Sequence, residues 1–137
     1  DYIKNNFKNP AIIGPDEESF QWAKKIAEGS GLEFSILKKT RKSSYNVQIK
    51  VKNKLDLKNK EVVIVDDIIS TGHTILETIK KLKKLKPKKI ICIGVHGVFV
   101  NKALDKIKKT GTQIITTNSI PSSVSKIDIS EIIASKI

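Results

Sequence analysis

The chain has 137 residues with 39% apolar content, enough for one α/β core and too little for two full domains. Its net charge of +12 would suit a nucleic-acid module, but the cations are nearly all lysine, and the base-stacking aromatics and arginine clusters of such modules are missing. No apolar run is long enough to cross a membrane and no basic-then-apolar leader marks secretion, so a cytoplasmic chain with neither nucleic acid nor membrane as partner is expected.

Cys92 is the sole cysteine, and its setting in KIICIGV favours a buried apolar thiol over a reactive one. The chain contains no methionine, even at position 1, which leads to the expectation that it begins inside a longer reading frame with a partner segment upstream. Arg41 is the only arginine, and a cation that departs from the prevailing lysine hints at a forked contact that lysine cannot make.

In chain order, Asp1 to Lys8 reads as the end of a helix and PAIIG, Pro10 to Gly14, as a short buried strand. Glu17 to Gly29 follows as a helix, with Phe20, Trp22, Ala23, Ile26 and Ala27 on its apolar side and GSG ending it. EFSIL, Glu33 to Leu37, is the next strand. The basic segment KKTRKSS then reads as a loop carried on an arm whose return strand is YNVQIKV, where Val47, Ile49 and Val51 alternate with polar residues.

EVVIV, Glu61 to Val65, is a fully apolar strand that ends at Asp66. In the lysine-rich helix after it, Ile75, Ile79, Leu82 and Leu85 form an apolar stripe, and the lysines between them are its solvated face. KKIICIGV is a strand, NKALDKIKKTG an amphipathic helix, TQIITTN a strand, and SKIDIS leads into a short terminal helix, EIIASKI. Continuous apolar strands separated by helices predict a mainly parallel sheet with helices on both faces.

In such sheets ligands gather beyond the carboxyl ends of the strands, near the switch in strand order. VVIVDDIISTGHT, Val62 to Thr74, places Asp66 and Asp67 at such an edge, and alternation along an extended strand predicts that one of the two carboxylates faces the crevice. Ser70, Thr71, Gly72, His73 and Thr74 then offer hydroxyls and successive backbone N–H groups at a helix start, the ingredients of a phosphate cradle. It is not a Walker loop, which needs Gly-Lys followed by Ser or Thr. The bland alternative is that Ser70 caps the helix while Asp66 and Asp67 are solvated turn residues.

These thirteen residues resemble the phosphoribosyl-diphosphate-binding signature shared by type I phosphoribosyltransferases and ribose-phosphate pyrophosphokinases. IIGPDEES is similar to the Pro-Asp turn of the pyrophosphokinases and ILKKTRKS to their catalytic loop. GVHGVF, TTNSIP and SKIDISEIIA resemble their closing strands. The resemblance covers nearly the whole chain and is to the C-terminal half of such an enzyme, of the archaeal sort. It implies that residues 1–137 form one phosphoribosyltransferase-like domain of a type I phosphoribosyltransferase fold, whose similar N-terminal half, absent here, supplies much of the ATP site.

By position, the resemblance implies Lys39 as the catalytic lysine of a mobile loop and Arg41 as a second loop cation contacting ribose 5-phosphate. It implies Asp66 for the ribose hydroxyls, Ser70 to Thr74 for the 5-phosphate and Asp16 for magnesium; Asp67 either orients Asp66 or helps bind the cation through water. Ser70, Thr40 and His73 depart from residues common in relatives, and a cradle working through backbone N–H groups tolerates the first and third changes.

The implied reaction transfers the diphosphoryl group of Mg-ATP to the anomeric hydroxyl of ribose 5-phosphate and releases AMP, with a homo-oligomer as the expected assembly. A type I phosphoribosyltransferase of nucleotide salvage is one alternative, which would need a base-binding hood; a non-catalytic sensor of ribose phosphates is the other. His96, at the end of a buried strand, either lines the site or is a satisfied edge histidine.

Overall fold

The apolar run that begins at Val62 forms the middle of the protein. The computed structural model describes the backbone of residues 1–42, 46–51 and 55–137, with side chains for residues 1–37 and 55–137. The elements are α1 (Tyr2–Asn6), β1 (Ala11–Gly14), α2 (Phe20–Ser30), β2 (Phe34–Lys42), β3 (Asn46–Val51), β4 (Glu61–Ile69) and α3 (His73–Lys83). After them come β5 (Lys89–Gly97), a 3₁₀ turn (Val100–Lys102), α4 (Ala103–Lys108), β6 (Gln113–Thr117), β7 (Ser125–Ile127) and α5 (Ser130–Ala134).

Seven strands make one sheet in the order β3-β2-β1-β4-β5-β6-β7. Every pairing is parallel except that of β2 with β3. The chain moves outward from β1 to β2 and β3, returns to lay β4 beside β1, and then moves outward the other way. The strand order therefore reverses between β1 and β4, which opens a crevice at their carboxyl ends. Because crossovers between parallel strands are right-handed, the two directions of travel put α2 and α3 on opposite faces.

Two apolar clusters result. On one face Ile75, Ile79 and Leu82 of α3 and Ile107 of α4 pack on Ile13, Ile64 and Cys92; on the other, Ile3 of α1 with Ala23 and Ala27 of α2 packs on Ile12, Val63 and Ile91. The mainly parallel, double-faced sheet expected from the strand pattern is thus present. Val62 to Ile64 and Ile91 are fully buried, so each contributes about 1.5–3 kcal/mol of hydrophobic stabilisation.

Several elements differ from the sequence reading. Leu85 is 42% exposed, because the last turn of α3 tightens: Leu85 N–H donates to Leu82 O, which rotates it off the stripe. Trp22 is also 42% exposed, while the small Ala23 and Ala27 are what let α2 approach the sheet. The helix expected from Asn101 begins only at Ala103, since Asn101 and Lys102 have φ of 53° and 59°, left-handed values that cannot continue an α-helix.

The KKTR segment is strand rather than loop. The β1–β2 register ends at Gly14↔Ile36, yet β2 continues to Lys42 with β3 as its partner, from Leu37↔Val51 to Lys42↔Asn46. This two-stranded ribbon projects past the carboxyl end of β1, with the backbone of Lys39 opposite Ile49 and that of Arg41 opposite Val47. Ser43 and Ser44, the rest of the expected loop, Tyr45, the first residue of the expected return strand, and the side chains of Lys39 and Arg41 lie outside the described residues.

Candidate active site at the strand switch

The crevice between β1 and β4 is built first by Asp16, two residues beyond the end of β1. Its carboxylate Oδ1 accepts the Ser19 N–H at 2.9 Å, Ser19 Oγ donates to Asp16 O at 2.7 Å, and Asp16 N–H donates to Ser19 Oγ at 3.2 Å. Ser19 is buried and sits against Gly14, where a Cβ would lie 2.5 Å from Ser19 Oγ and 2.9 Å from Ile36 Cγ2. The absence of a side chain at Gly14 is therefore what lets Ser19 lock Asp16 in place. The sequence reading missed Ser19, although an Asp followed three residues later by Ser is a recognisable local hydrogen-bonding pattern.

Across the crevice, β4 does not stop at Asp66 but runs on to Ile69, paired with β5 as far as Ile69↔Gly97. Asp66 is half-buried and Asp67 exposed, and both border a cavity of about 240 Å³ together with Asp16, Glu18, Ser19 and Trp22. Each carboxylate folds back onto the next backbone N–H, Asp66 Oδ1 accepting from Asp67 at 3.1 Å and Asp67 Oδ1 from Ile68 at 2.8 Å. Burial pushes the Asp66 carboxyl up to about 7, reinforced by the negative charges of Asp16 and then Asp67.

The turn after β4 leads straight into α3. Its N-cap is Gly72, at φ 74°, with no side-chain cap, so the alternative in which Ser70 caps the helix does not occur. The first intrahelical bond is Leu76 N–H to Gly72 O at 2.8 Å, and His73 N–H meets Thr71 Oγ1 at 3.4 Å. A helix start without a side-chain cap, whose first-turn N–H groups have no partner within the helix, suits an anion. Ser70, Thr71, His73 and Thr74 are exposed around it, and Gly72 is buried. A second cavity of about 340 Å³ joins His73 and Thr74 to Asp16 and Leu37. The structure thus gathers Asp16, Asp66, Asp67 and the start of α3 at the strand switch, with the β2–β3 ribbon rising beside them.

A Cβ on Gly72 would lie 3.1 Å from Ile107 Cδ1 and 3.3 Å from Ala103 Cβ of α4, in addition to the cost of a left-handed residue. Gly72→Ala is expected to destabilise the domain by about 1–2 kcal/mol or more, read as a lower urea midpoint with an unchanged slope. Unaltered stability would show that α4 yields freely.

His96 lies at the far end of β5, with Nδ1 2.8 Å from Ser119 Oγ, itself bonded to Val95 O at 3.0 Å. One ring nitrogen is therefore satisfied at the sheet edge, as in the second alternative considered for it, and the residue also lines a groove of about 730 Å³ beside Asp66. Cys92 is fully buried, and burial pushes its thiol well above the ordinary range, as expected of an inert packing residue. No helix among the described residues is long and apolar enough to cross a membrane.

The sequence profile of the phosphoribosyl transferase domain matches residues 1–127. The chain is 39% identical over 128 residues to the ribose-phosphate pyrophosphokinase of Pyrococcus abyssi, covering 93% of this chain and 45% of that protein. It is 40% identical over 129 residues to the enzyme of the same name from Pyrococcus furiosus, covering 94% and 46%. The chain therefore spans a little under half the length of the curated relatives it matches. In solved structures the same fold occurs in phosphoribosylpyrophosphate synthetase from Mycobacterium smegmatis, with a TM-score of 0.80 at 23% identity over 98% of this chain and 46% of that one. It occurs again in the APRTase of Giardia lamblia complexed with 9-deazaadenine, with a TM-score of 0.70 at 18% identity over 84% and 72%. With a switch-point crevice, an acid-bearing β4 and a profile match that takes in all but its last residues, this chain belongs to the phosphoribosyl transferase domain family.

Proposed function

We propose that this chain is the ribose-5-phosphate-holding half of a ribose-phosphate pyrophosphokinase, which transfers the diphosphoryl group of Mg-ATP to the anomeric hydroxyl of ribose 5-phosphate and releases AMP. The observation that carries the reading is the placement, on one strand–turn–helix unit, of a half-buried carboxylate and an uncapped helix start at the strand switch. A carboxylate accepts from sugar hydroxyls and a helix start accepts a phosphate, so the pair matches a phosphorylated polyol. The resemblance to archaeal pyrophosphokinases supports this reaction rather than base transfer.

In this reading Asp66 takes the ribose hydroxyls, Asp67 flanks it, and the N–H groups and hydroxyls of Ser70 to Thr74 hold the 5-phosphate. Lys39 and Arg41, carried past the end of β1 on the β2–β3 ribbon, supply positive charge to the diphosphoryl group as it moves. The described residues fit magnesium. No cluster of three or more ligating side chains forms a closed metal cage among them, whereas Asp16 and Asp66 border one cavity, and magnesium characteristically takes one or two carboxylates with water and phosphate oxygens. Asp16, fixed by Ser19, would hold the ion with help from Asp66; magnesium when bound offsets charge on the phosphates. The remaining partners in this proposal are the N-terminal half of the same enzyme and further copies of it, in the cytoplasm.

Calorimetric titration of the chain with ribose 5-phosphate tests the reading. Saturable heat at millimolar ligand or below is expected, with little synthesis of the diphosphate by residues 1–137 alone. No heat from the unmutated chain at millimolar ligand would sink it.

A further inference from the structure

The turn that follows β4 is held from behind by the stretch of chain that leads from β5 into α4. Ile69, the last residue of β4 and the one before Ser70, is buried and paired with Gly97. Its carbonyl oxygen accepts two successive N–H groups, from Val98 at 3.0 Å and from Phe99 at 3.1 Å. At the other end of the turn Gly72, the N-cap of α3, lies so close to Ala103 and Ile107 of α4 that it has no room for a side chain. The exposed Ser70 and Thr71 between them are therefore clamped at both ends by one segment.

That segment is strained. Phe99, Asn101 and Lys102 have φ of 50°, 53° and 59°, left-handed values at three residues that all carry a Cβ. Such backbone is costly and persists where the surrounding contacts enforce it. At Phe99 those contacts are visible. Consecutive N–H groups converge on one oxygen when the chain curls through the left-handed region, and the Phe99 ring anchors the curl. It fills the space beside Gly97, where a Cβ would run into Phe99 Cε2 and lie 2.9 Å from Thr116 Cγ2. The ring packs on the core cluster that contains Ile69, Ile75 and Ile107, whereas the other residues from 98 to 102 are exposed, so Phe99 ties the turn to the core.

We propose that Phe99 is a positioning residue for the ribose-5-phosphate site, its ring and left-handed backbone setting the level of the phosphate cradle relative to Asp66. Asp66 precedes Ile69 on the same strand, so the clamp on Ile69 and Gly72 fixes the span from the carboxylate to the start of α3. A sugar phosphate has a limited span of its own between hydroxyls and phosphate, and a misplacement of about 1 Å between the two parts of such a site costs heavily. Phe99 acts through Ile69 and does not need to touch the ligand. The inference rests on the proposed function for the identity of that ligand.

Calorimetry of the full-length protein, both halves included, tests it on Phe99→Ala, Phe99→Leu and Leu104→Ala. Leu104 packs on the same core cluster from α4 and makes neither clamp contact, so its truncation reports lost packing alone. Phe99→Ala is expected to weaken ribose 5-phosphate binding roughly tenfold or more beyond Leu104→Ala, with Mg-ATP affinity the same in both. Phe99→Leu, which refills the space beside Gly97, should stay close to the parent. Val98→Pro keeps the test open should Phe99→Ala fail to fold: Val98 is exposed, so the change deletes one donor to Ile69 O and little packing, and the same selective loss is expected. Equal losses in Phe99→Ala and Leu104→Ala, a matching fall in Mg-ATP affinity, or unchanged ribose 5-phosphate binding in folded Phe99→Ala or Val98→Pro would overturn the proposal. No heat from the unmutated protein removes the functional reading and this inference together, whereas heat from the parent with equal losses in the variants removes this inference alone.

Discussion

Asp66→Asn is expected to weaken ribose 5-phosphate binding by roughly ten- to a hundredfold at pH 8, the loss that follows when hydrogen bonds to a charged acceptor become bonds to a neutral amide. The pH dependence makes the prediction specific. Asp66 is held near 7 by burial and by the adjacent Asp16 and Asp67, so at pH 6 most of it is protonated and at pH 8 most is ionised. The ratio of the variant's dissociation constant to that of the parent should therefore rise through about pH 7, while the ligand's own phosphate ionisation cancels because both proteins meet the same ligand. A ratio that is flat from pH 6 to 8 would mean that the carboxylate does not touch the sugar.

Stability should move the opposite way. A carboxyl at about 7 in the folded chain and near 3.8 when unfolded holds more protons in the native state between those values, so its burial costs stability progressively as pH rises across that window. Asp66→Asn should leave stability unchanged at pH 4 and raise it by about 1–2 kcal/mol at pH 8, less than the full shift implies because water reaches part of the group. Weaker binding combined with a firmer fold is the signature of a site residue held under electrostatic strain. A purely structural carboxylate would lose both.

Lys39→Ala in the full-length protein is expected to lower kcat by about a hundredfold or more, with the KM for ribose 5-phosphate nearly unchanged. The backbone carries the argument. Ile36 is the last β2 residue paired with β1, and Lys39 and Arg41 follow roughly 10 Å and 17 Å farther along the strand, beyond the end at which Asp16 and Asp66 meet. In the proposed reaction, cations carried on this ribbon would meet the charge that develops on the diphosphoryl group. A rise in KM alone, with kcat intact, would move Lys39 from catalysis to binding.

The site was legible in the sequence where one segment contains its own chemistry. VVIVDDIISTGHT announced a buried strand, an acid edge and a helix start because each depends on neighbours in the chain. The stripe Ile75, Ile79 and Leu82 was equally plain, and all three are buried. Leu85 and Trp22 were misread because periodicity states which residues share a side but not where the helix ends or how closely it approaches the sheet. KKTR was read as a loop for its polarity, yet β3 pairs with it across a turn, and a two-stranded ribbon needs no apolar pattern where it has left the core.

By itself, the sequence determined a mainly parallel sheet with helices on both faces, since hydrophobic period and strand length are local properties that survive without knowledge of neighbours. Only the tertiary structure placed Asp16 opposite Asp66, lodged Ser19 against the bare face of Gly14, and left a groove between Trp22 and the end of the sheet. Those facts depend on strand order, and strand order is settled by which apolar faces can be buried together, a property of the whole chain and not of any window within it.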